Sequence, residues 1–240
     1  VFAPPIAAEA VEAEKRIAAR AAVGEVRSGM LLGLGTGSTV RHFLEALAES
    51  LRAKALEGIR GVPTSIDTER RCAALGIPTL DLAEGLVLDV AIDGADEVSP
   101  ALDLIKGLGG ALLREKMVVQ ASRRFVVIAD AAKEVRRLGS RAPVPVEVAP
   151  FGWRTHLPFF RSLGAEPRPR KTPGGDLVVT DNGNHLIDLS FESGIESPDE
   201  LEAALRGRAG VLETGLFLGM ADRAFVGDSG DVRVRDRGGS

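Results

Sequence analysis

Along the first 130 residues, short apolar runs alternate with stretches whose apolar positions recur every three or four residues. Residues 6–27, rich in Ala, Glu and Arg, predict a helix. Met30 to Gly35 is a short apolar run ending in glycine, the pattern of a buried strand. Val40, Phe43, Leu44, Leu47 and Leu51 then share one helical face within 39–54. A strand at Ile59 to Val62, a helix from Ser65 to Leu75 and a strand at Leu88 to Ile92 follow. A helix from Gly110 to Ser122 and a strand at Phe125 to Ala129 continue the alternation. Strands separated by helices of this length are βαβ units, which build a parallel sheet.

The pattern changes near Ala142-Pro143-Val144-Pro145. Val144 to Val148 reads as a strand beside prolines, and a helix is expected at about 151–163. Leu177 to Thr180 and His185 to Phe191 predict a hairpin turned by Asp181-Asn182-Gly183-Asn184. Ser197-Pro198-Asp199-Glu200 predicts a helix start, with Ser at the N-cap and Pro at the first position. Strands at 211–218 and 223–226 close the chain, and the Gly/Asp/Arg-rich tail from Gly227 is expected to be poorly ordered. The organisation predicted is a parallel α/β domain plus a smaller α+β domain at about 140–215, with the last strands returning to the first domain.

The 240 residues suit one or two domains, and 45% apolar with 27% charged residues excludes disorder and disulfide scaffolds. No apolar run approaches the ~18 residues of a membrane span, and no basic segment leads into an apolar signal region. A net charge of −4 argues against nucleic acid as a partner. The Arg-rich stretches Arg168-Pro169-Arg170-Lys171 and Arg233 to Arg237 read as solvated surface. Cys72 has no partner for an internal disulfide and reads as a small core residue, in keeping with a reducing cytoplasm. His42, His156 and His185 lack ligand-like spacing, so no zinc site is expected.

Four segments could carry chemistry. Gly33-Leu34-Gly35-Thr36-Gly37-Ser38-Thr39 lies between a strand and a helix. Glycines let a ligand approach the backbone, and helix N-terminal N–H groups attract anions. The spacing matches neither the dinucleotide fingerprint nor a Walker loop, so a small phosphate ester fits better than a nucleotide. The bland alternative is a tight turn with a Ser/Thr cap. Asp93-Gly94-Ala95-Asp96-Glu97 follows a buried strand, where open α/β sheets bind ligands. These carboxylates suit sugar hydroxyls, proton exchange or magnesium, or form only an acidic turn.

Lys106-Gly107-Leu108-Gly109-Gly110 suggests a second close backbone approach to an anion. In the helix beyond it, Glu115 has Ala111, Leu112, Val118 and Val119 at its i±3 and i±4 positions. A carboxylate on an apolar face is poised for raised basicity and general-base work. The alternative is a surface ion pair with Arg114 or Lys116. Finally, a helix is expected at Asp130-Ala131-Ala132-Lys133, with Lys133 in its first turn, where a bound anion would offset the dipole penalty. Only six of the 30 basic residues are Lys (Lys15, Lys54, Lys106, Lys116, Lys133, Lys171), and three of them fall in these segments. In an Arg-favouring chain, such lysines are candidates for sites that need a compact ammonium.

In order, GLGTGST (33–39), VPTS (62–65), AIDGADE (91–97), LIKGLGGALLREK (104–116), VIADAAK (127–133), VPVEV (144–148), TDNGN (180–184) and GVLETGLF (210–217) resemble the ribose-5-phosphate isomerase A family. The resemblance implies a Rossmann-like, mainly parallel sheet domain (1–139 plus 216–240) with a smaller inserted α+β domain (140–215). It implies a cytoplasmic homodimer or homotetramer, without cofactor or metal, interconverting D-ribose 5-phosphate and D-ribulose 5-phosphate in the pentose phosphate pathway. It makes Glu115 the base that moves a proton between C1 and C2. Thr36, Gly37, Ser38, Thr39 and Lys133 would bind substrate, largely its phosphate, with Lys15 a further contact. Asp93, Gly94, Ala95 and Asp96 would meet the sugar, Asp93 assisting ring opening. Lys106 would stabilise charge on the substrate oxygens beside Gly107, Leu108 and Gly109. Leu108 departs from the all-glycine loop of many relatives, which questions the use of its backbone N–H. A sugar-phosphate sensor or a CoA-transferase relative are the rivals. The first lacks room for a DNA-binding segment before the first strand, and the second gives the lysines no role.

Overall fold

A computed structural model describes residues 5–238. The chain runs α1 (Pro5–Ala22), β1 (Leu31–Leu34), α2 (Ser38–Arg52), β2 (Arg60–Pro63), α3 (Ile66–Leu75), β3 (Val90–Gly94), β4 (Glu97–Val98), β5 (Leu104–Ile105) and α4 (Leu112–Gln120). It continues with β6 (Phe125–Asp130), β7 (Val144–Val148), α5 (His156–Ser162), β8 (Glu166–Pro169), β9 (His185–Ser190) and α6 (Pro198–Arg206). It ends with β10 (Val211–Thr214), β11 (Leu216–Phe217), β12 (Arg223–Asp228) and β13 (Asp231–Asp236). Two compact units result: Val1–Ala95 with Arg114–Lys133 and Met220–Ser240, and Asp96–Leu113 with Glu134–Gly219. The expected boundary kept 96–113 in the first domain. Those residues fall in the second unit, because β4 and β5 pair antiparallel with each other and β11 pairs with β5. No helix among the described residues is long and apolar enough to cross a membrane.

The first unit is built on a six-stranded sheet, β13-β12-β6-β3-β1-β2, parallel except at the β12–β13 pair. Its central strands are apolar up to Asp93 in β3 and Asp130 in β6 at their carboxyl ends, because both faces are covered, as parallel sheets require. Leu32, Leu34, Ile92, Val126 and Ile128 pack with Ala18, Ala19 and Ala22 of α1 and Val40, Phe43, Leu44 and Leu47 of α2. The Ser65 hydroxyl caps α3 by accepting from the Thr68 N–H at 3.0 Å, and Gly76 ends it in the left-handed region at φ 73°.

The second unit carries a four-stranded antiparallel sheet, β10-β7-β9-β8, and the three-stranded sheet β11-β5-β4. Its core gathers Val144, Val146 and Val148 with Phe160, Ile187, Leu189, Leu201 and Leu205. The structure thus has the Rossmann-like, mainly parallel domain and the smaller inserted α+β domain that were expected.

Several local expectations need correction. From Gly227 to Asp236 the chain is not a loose tail: β13 pairs with β12 through all six of its residues, and residues 239 and 240 lie outside those described. Its alternating charges are those of a strand at the edge of a sheet, where charge discourages further pairing. β9 pairs with β7 on one side and on the other with β8, a proline-bearing edge strand that periodicity does not reveal. Leu177 to Thr180 contributes only isolated bridges, Lys171 to Leu177 and Val179 to His185. The helix at 151–163 is a 3-10 turn, Trp153–Thr155, running into α5. Lys133 ends a single 3-10 turn, Ala131–Lys133, so the dipole argument for it does not apply. Ser197 stands at the N-cap of α6 with Pro198 next, but its side chain makes no cap hydrogen bond.

Candidate active site

In the first unit, the central strands β6, β3 and β1 are neighbours and parallel. Their carboxyl ends therefore lie on one edge of the sheet, and each runs into a segment marked by the sequence: 131–133, Gly94-Ala95 and 35–39. Gly35 is required here. A Cβ on it would lie 2.1 Å from Asp93 Oδ1. That oxygen accepts the Thr36 N–H at 3.0 Å and the Gly94 N–H at 2.7 Å, so Asp93, 2% exposed, is held by two backbone donors. Gly37 opens α2 at φ 127° without a side-chain cap. The first N–H groups of a helix have no intrahelical partner, and an anion can satisfy them.

The Thr36 hydroxyl faces elsewhere. It lies 2.7 Å from Thr64 Oγ1, 2.8 Å from Ser65 Oγ and 3.1 Å from Thr68 Oγ1. Thr68 Oγ1 in turn donates to the Gly35 carbonyl at 2.8 Å. Thr36 thus fixes the loop from below, and the loop's offer to an anion rests on backbone N–H groups and Ser38. The VPTS segment supplies two members of this hydroxyl cluster, Thr64 and Ser65, and α3 supplies Thr68, a role that motif reading missed.

Glu115 is 3% exposed in the first turn of α4. The end of α4 meets the start of β3, where the Leu88 N–H donates to the Ala121 carbonyl at 2.8 Å. The helix therefore runs back along the strands, and its first turn points to the carboxyl edge. Gly33 seats it there: a Cβ on Gly33 would lie 2.6 Å from Val118. Glu115 sits one turn before Val118, about 4.5 Å further towards that edge. Lys116 is also buried, at 3% exposure, so neither Glu115 nor Lys116 belongs to a solvated helix face.

Lys15 lies in α1, and its ammonium donates to Glu12 Oε1 at 2.6 Å. The other oxygen, Glu12 Oε2, meets His42 Nε2 at 3.0 Å. His42 is four residues after Ser38 on α2, one helical turn from the loop, and Lys15 is linked to it through Glu12. The hydrogen bonds from Lys15 and then His42 hold the Glu12 carboxyl down at about 2. Burial, with a smaller contribution from Glu69, pushes the Cys72 thiol up to about 11, as befits the inert core residue expected.

The second unit holds Asp96, Lys106, Gly107, Leu108 and Gly109. The Leu108 N–H donates to Asp96 Oδ2 at 2.9 Å. Substitution by Leu has therefore left that backbone donor in use, internally. Gly107, at φ 99°, could not carry a side chain: a Cβ would lie 2.9 Å from that of Leu112. Lys106 is 2% exposed, its N–H bonded to the Gly215 carbonyl at 2.9 Å and its ammonium 5.4 Å from the centre of the Phe217 ring. Glu97, the third carboxylate of the acidic segment, is structural. It accepts N–H groups from Gly139 at 2.6 Å, Arg141 at 2.6 Å and Ala142 at 2.7 Å. Among the described residues no cluster of three or more His, Cys, Asp or Glu could hold a metal ion.

A Rossmann-like parallel sheet with a glycine–hydroxyl loop and a backbone-held carboxylate at the carboxyl ends of its strands is the arrangement of the α/β enzymes. Residues 60–231 match the family described as ribose 5-phosphate isomerase A (phosphoriboisomerase A). The chain is 48% identical over 216 residues to ribose-5-phosphate isomerase A of Deinococcus radiodurans, covering 90% of this chain and 94% of that one. It is 44% identical to probable ribose-5-phosphate isomerase 2 of Arabidopsis thaliana, over 93% of this chain and 86% of the relative. The ribose 5-phosphate isomerase of Plasmodium falciparum superposes with a TM-score of 0.91 at 36% identity, over 94% of this chain and 98% of that one. A D-ribose-5-phosphate isomerase in complex with phospho-erythronic acid gives 0.91 at 38% identity, over 95% and 99%. The chain belongs to the ribose 5-phosphate isomerase A family.

Proposed function

We propose that this chain interconverts D-ribose 5-phosphate and D-ribulose 5-phosphate through an enediolate, with Glu115 as general base. The observation that carries the reading is a carboxylate 3% exposed on the helix turn that faces the carboxyl edge of the sheet. Relatives named for this reaction, and one solved with a phosphorylated sugar acid, support the substrate class.

In this reading the N–H groups of α2, Ser38, Thr39, Lys133 and Lys15 take the phosphate. Asp93 assists ring opening by exchanging a proton with the anomeric hydroxyl. Glu115 then removes the C2 proton of the open aldehyde, the C–H electron pair forms the C1–C2 double bond, and charge moves to O1. Lys106 and the 107–109 backbone stabilise that oxyanion. Return of the proton to C1, with proton transfer between the two oxygens, gives the ketose. The reading needs no cofactor. It extends to a cytoplasmic homodimer or homotetramer, which sedimentation of the purified chain would resolve.

The test is a ribose 5-phosphate assay with EDTA present, comparing the parent with Glu115→Gln. The expected result is an active parent and a kcat about 10²–10⁴-fold lower in the variant. Full activity in the variant removes Glu115 as the base, and an inactive parent that still binds the sugar phosphate favours a sensor.

A further inference from the structure

The loop 106–110 poses a physical problem. It contains three glycines, Gly107 and Gly110 have positive φ at 99° and 85°, and Leu108 is 42% exposed. Such a segment has much conformational freedom and little side-chain packing to restrain it. The Gly110 N–H donates to the Gly107 carbonyl at 2.9 Å and the Leu108 N–H to Asp96, and the remaining restraint is Arg170, in a stretch that the sequence presents as solvated surface. The Arg170 Nη1 donates to the Gly107 carbonyl at 3.1 Å and the Leu108 carbonyl at 2.9 Å. The guanidinium is itself fixed by Asp188 of β9, with Nε donating to Oδ2 at 2.9 Å and Nη2 to Oδ1. Both side chains are largely buried, 16% and 20% exposed. The Arg170 backbone is tied down too, its N–H to the Leu186 carbonyl at 2.8 Å and its carbonyl to the Val178 N–H at 3.0 Å.

The orientation has a consequence. In a trans peptide the C=O and the next N–H point opposite ways. With the Gly107 carbonyl turned to Arg170, the Leu108 N–H must face away, and it does, to Asp96. With the Leu108 carbonyl also turned to Arg170, the Gly109 N–H faces away from the guanidinium as well. We propose that the Arg170–Asp188 pair is a positioning element that aims the Gly109 N–H, beside Asp96 and Lys106, at the substrate oxygens that gain charge in the reaction. This rests on the proposed isomerase reading and names residues that act through the loop. A donor aimed at developing charge matters more in the transition state than in the bound substrate, so its misplacement lowers kcat more than it raises KM.

The experiment compares Arg170→Lys, Asp188→Asn and the exposed neighbour Arg168→Lys with the parent. Lysine keeps the charge but lacks the planar fork that takes both carboxylate oxygens while a third nitrogen reaches the two carbonyls. The expected result for Arg170→Lys and Asp188→Asn is a kcat about tenfold lower with KM within about twofold. Competitive inhibition by inorganic phosphate stays unchanged, hydrogen exchange at the Leu108 and Gly109 amides is faster, and Arg168→Lys behaves as the parent. Unchanged kcat and amide exchange in either folded variant overturns the proposal. So does a kcat loss matched by an equal loss of phosphate inhibition, or failure of both variants to fold, which would make the pair a fold requirement. An inactive parent overturns the isomerase reading instead, and the exchange rates then decide the role of Arg170 alone.

Discussion

Lys133 ends one 3-10 turn at the close of β6, so its value to an anion lies in its own ammonium and not in a helix dipole. Lys133→Arg keeps the charge but replaces a compact donor by a larger planar one. KM for ribose 5-phosphate is expected to rise about fivefold, roughly 1 kcal/mol, with kcat little changed. An unchanged KM would count against a phosphate contact. Glu12 shows how a single carboxylate can report on its partners. Its pKa falls from 4.5 to about 2 through Lys15 first and His42 second. A depressed carboxylate adds stability above its unfolded value and loses it as pH falls towards the folded one. Glu12 is 44% exposed, so the contribution is about 1 kcal/mol or less. Urea unfolding should find Glu12→Gln less stable than the parent at neutral pH, with the gap closing below pH 4.5.

At the scale of elements, the β1–loop–α2 unit depends on a missing side chain. Gly35 leaves room for Asp93, and Asp93 in turn organises the loop through the Thr36 N–H. Gly35→Ala drives a methyl group into that carboxylate. The expected cost is about 1–3 kcal/mol of stability, the usual range for overpacking, with loss of activity beyond what the fraction folded explains. Chemical denaturation alongside the assay separates the two, and a fully active Gly35→Ala would deny the loop its dependence on Asp93. The βαβ elements are legible in the sequence because their apolar spacing is local. The short strands β4, β5 and β11, of two residues each, carry no periodic signal and exist only as partners of one another. β8 is hidden by Pro167 and Pro169, which an edge strand tolerates. β13 is hidden by its charges.

For the molecule as a whole, the functional segments lie in two compact units that the chain enters and leaves repeatedly. A ligand that binds the folded state adds stability by mass action, about 2.7 kcal/mol at 100 times Kd. Ribose 5-phosphate is expected to raise the melting temperature of the parent by several degrees, and that of Lys133→Arg by less at the same concentration. No shift in the parent at millimolar sugar phosphate would contradict the proposed substrate.

The sequence by itself determined the alternating βαβ pattern, the glycine loops and the apolar setting of Glu115, since each depends on neighbours within a few residues. It also carried the ordered motifs that mark the family. Tertiary structure alone decided what the side chains do across longer separations. Glu97 serves backbone N–H groups more than 40 residues away, where the sequence suggests a ligand. Arg170 holds a loop 62 residues earlier, where the sequence suggests solvent. The scarcity of lysine singles out Lys106, Lys116 and Lys133 as candidates, whereas Lys15 is linked to α2 only through Glu12 and His42. The reason is physical: a hydrogen bond between distant segments leaves no periodicity in the chain, and burial of a charge depends on partners that only the fold assembles.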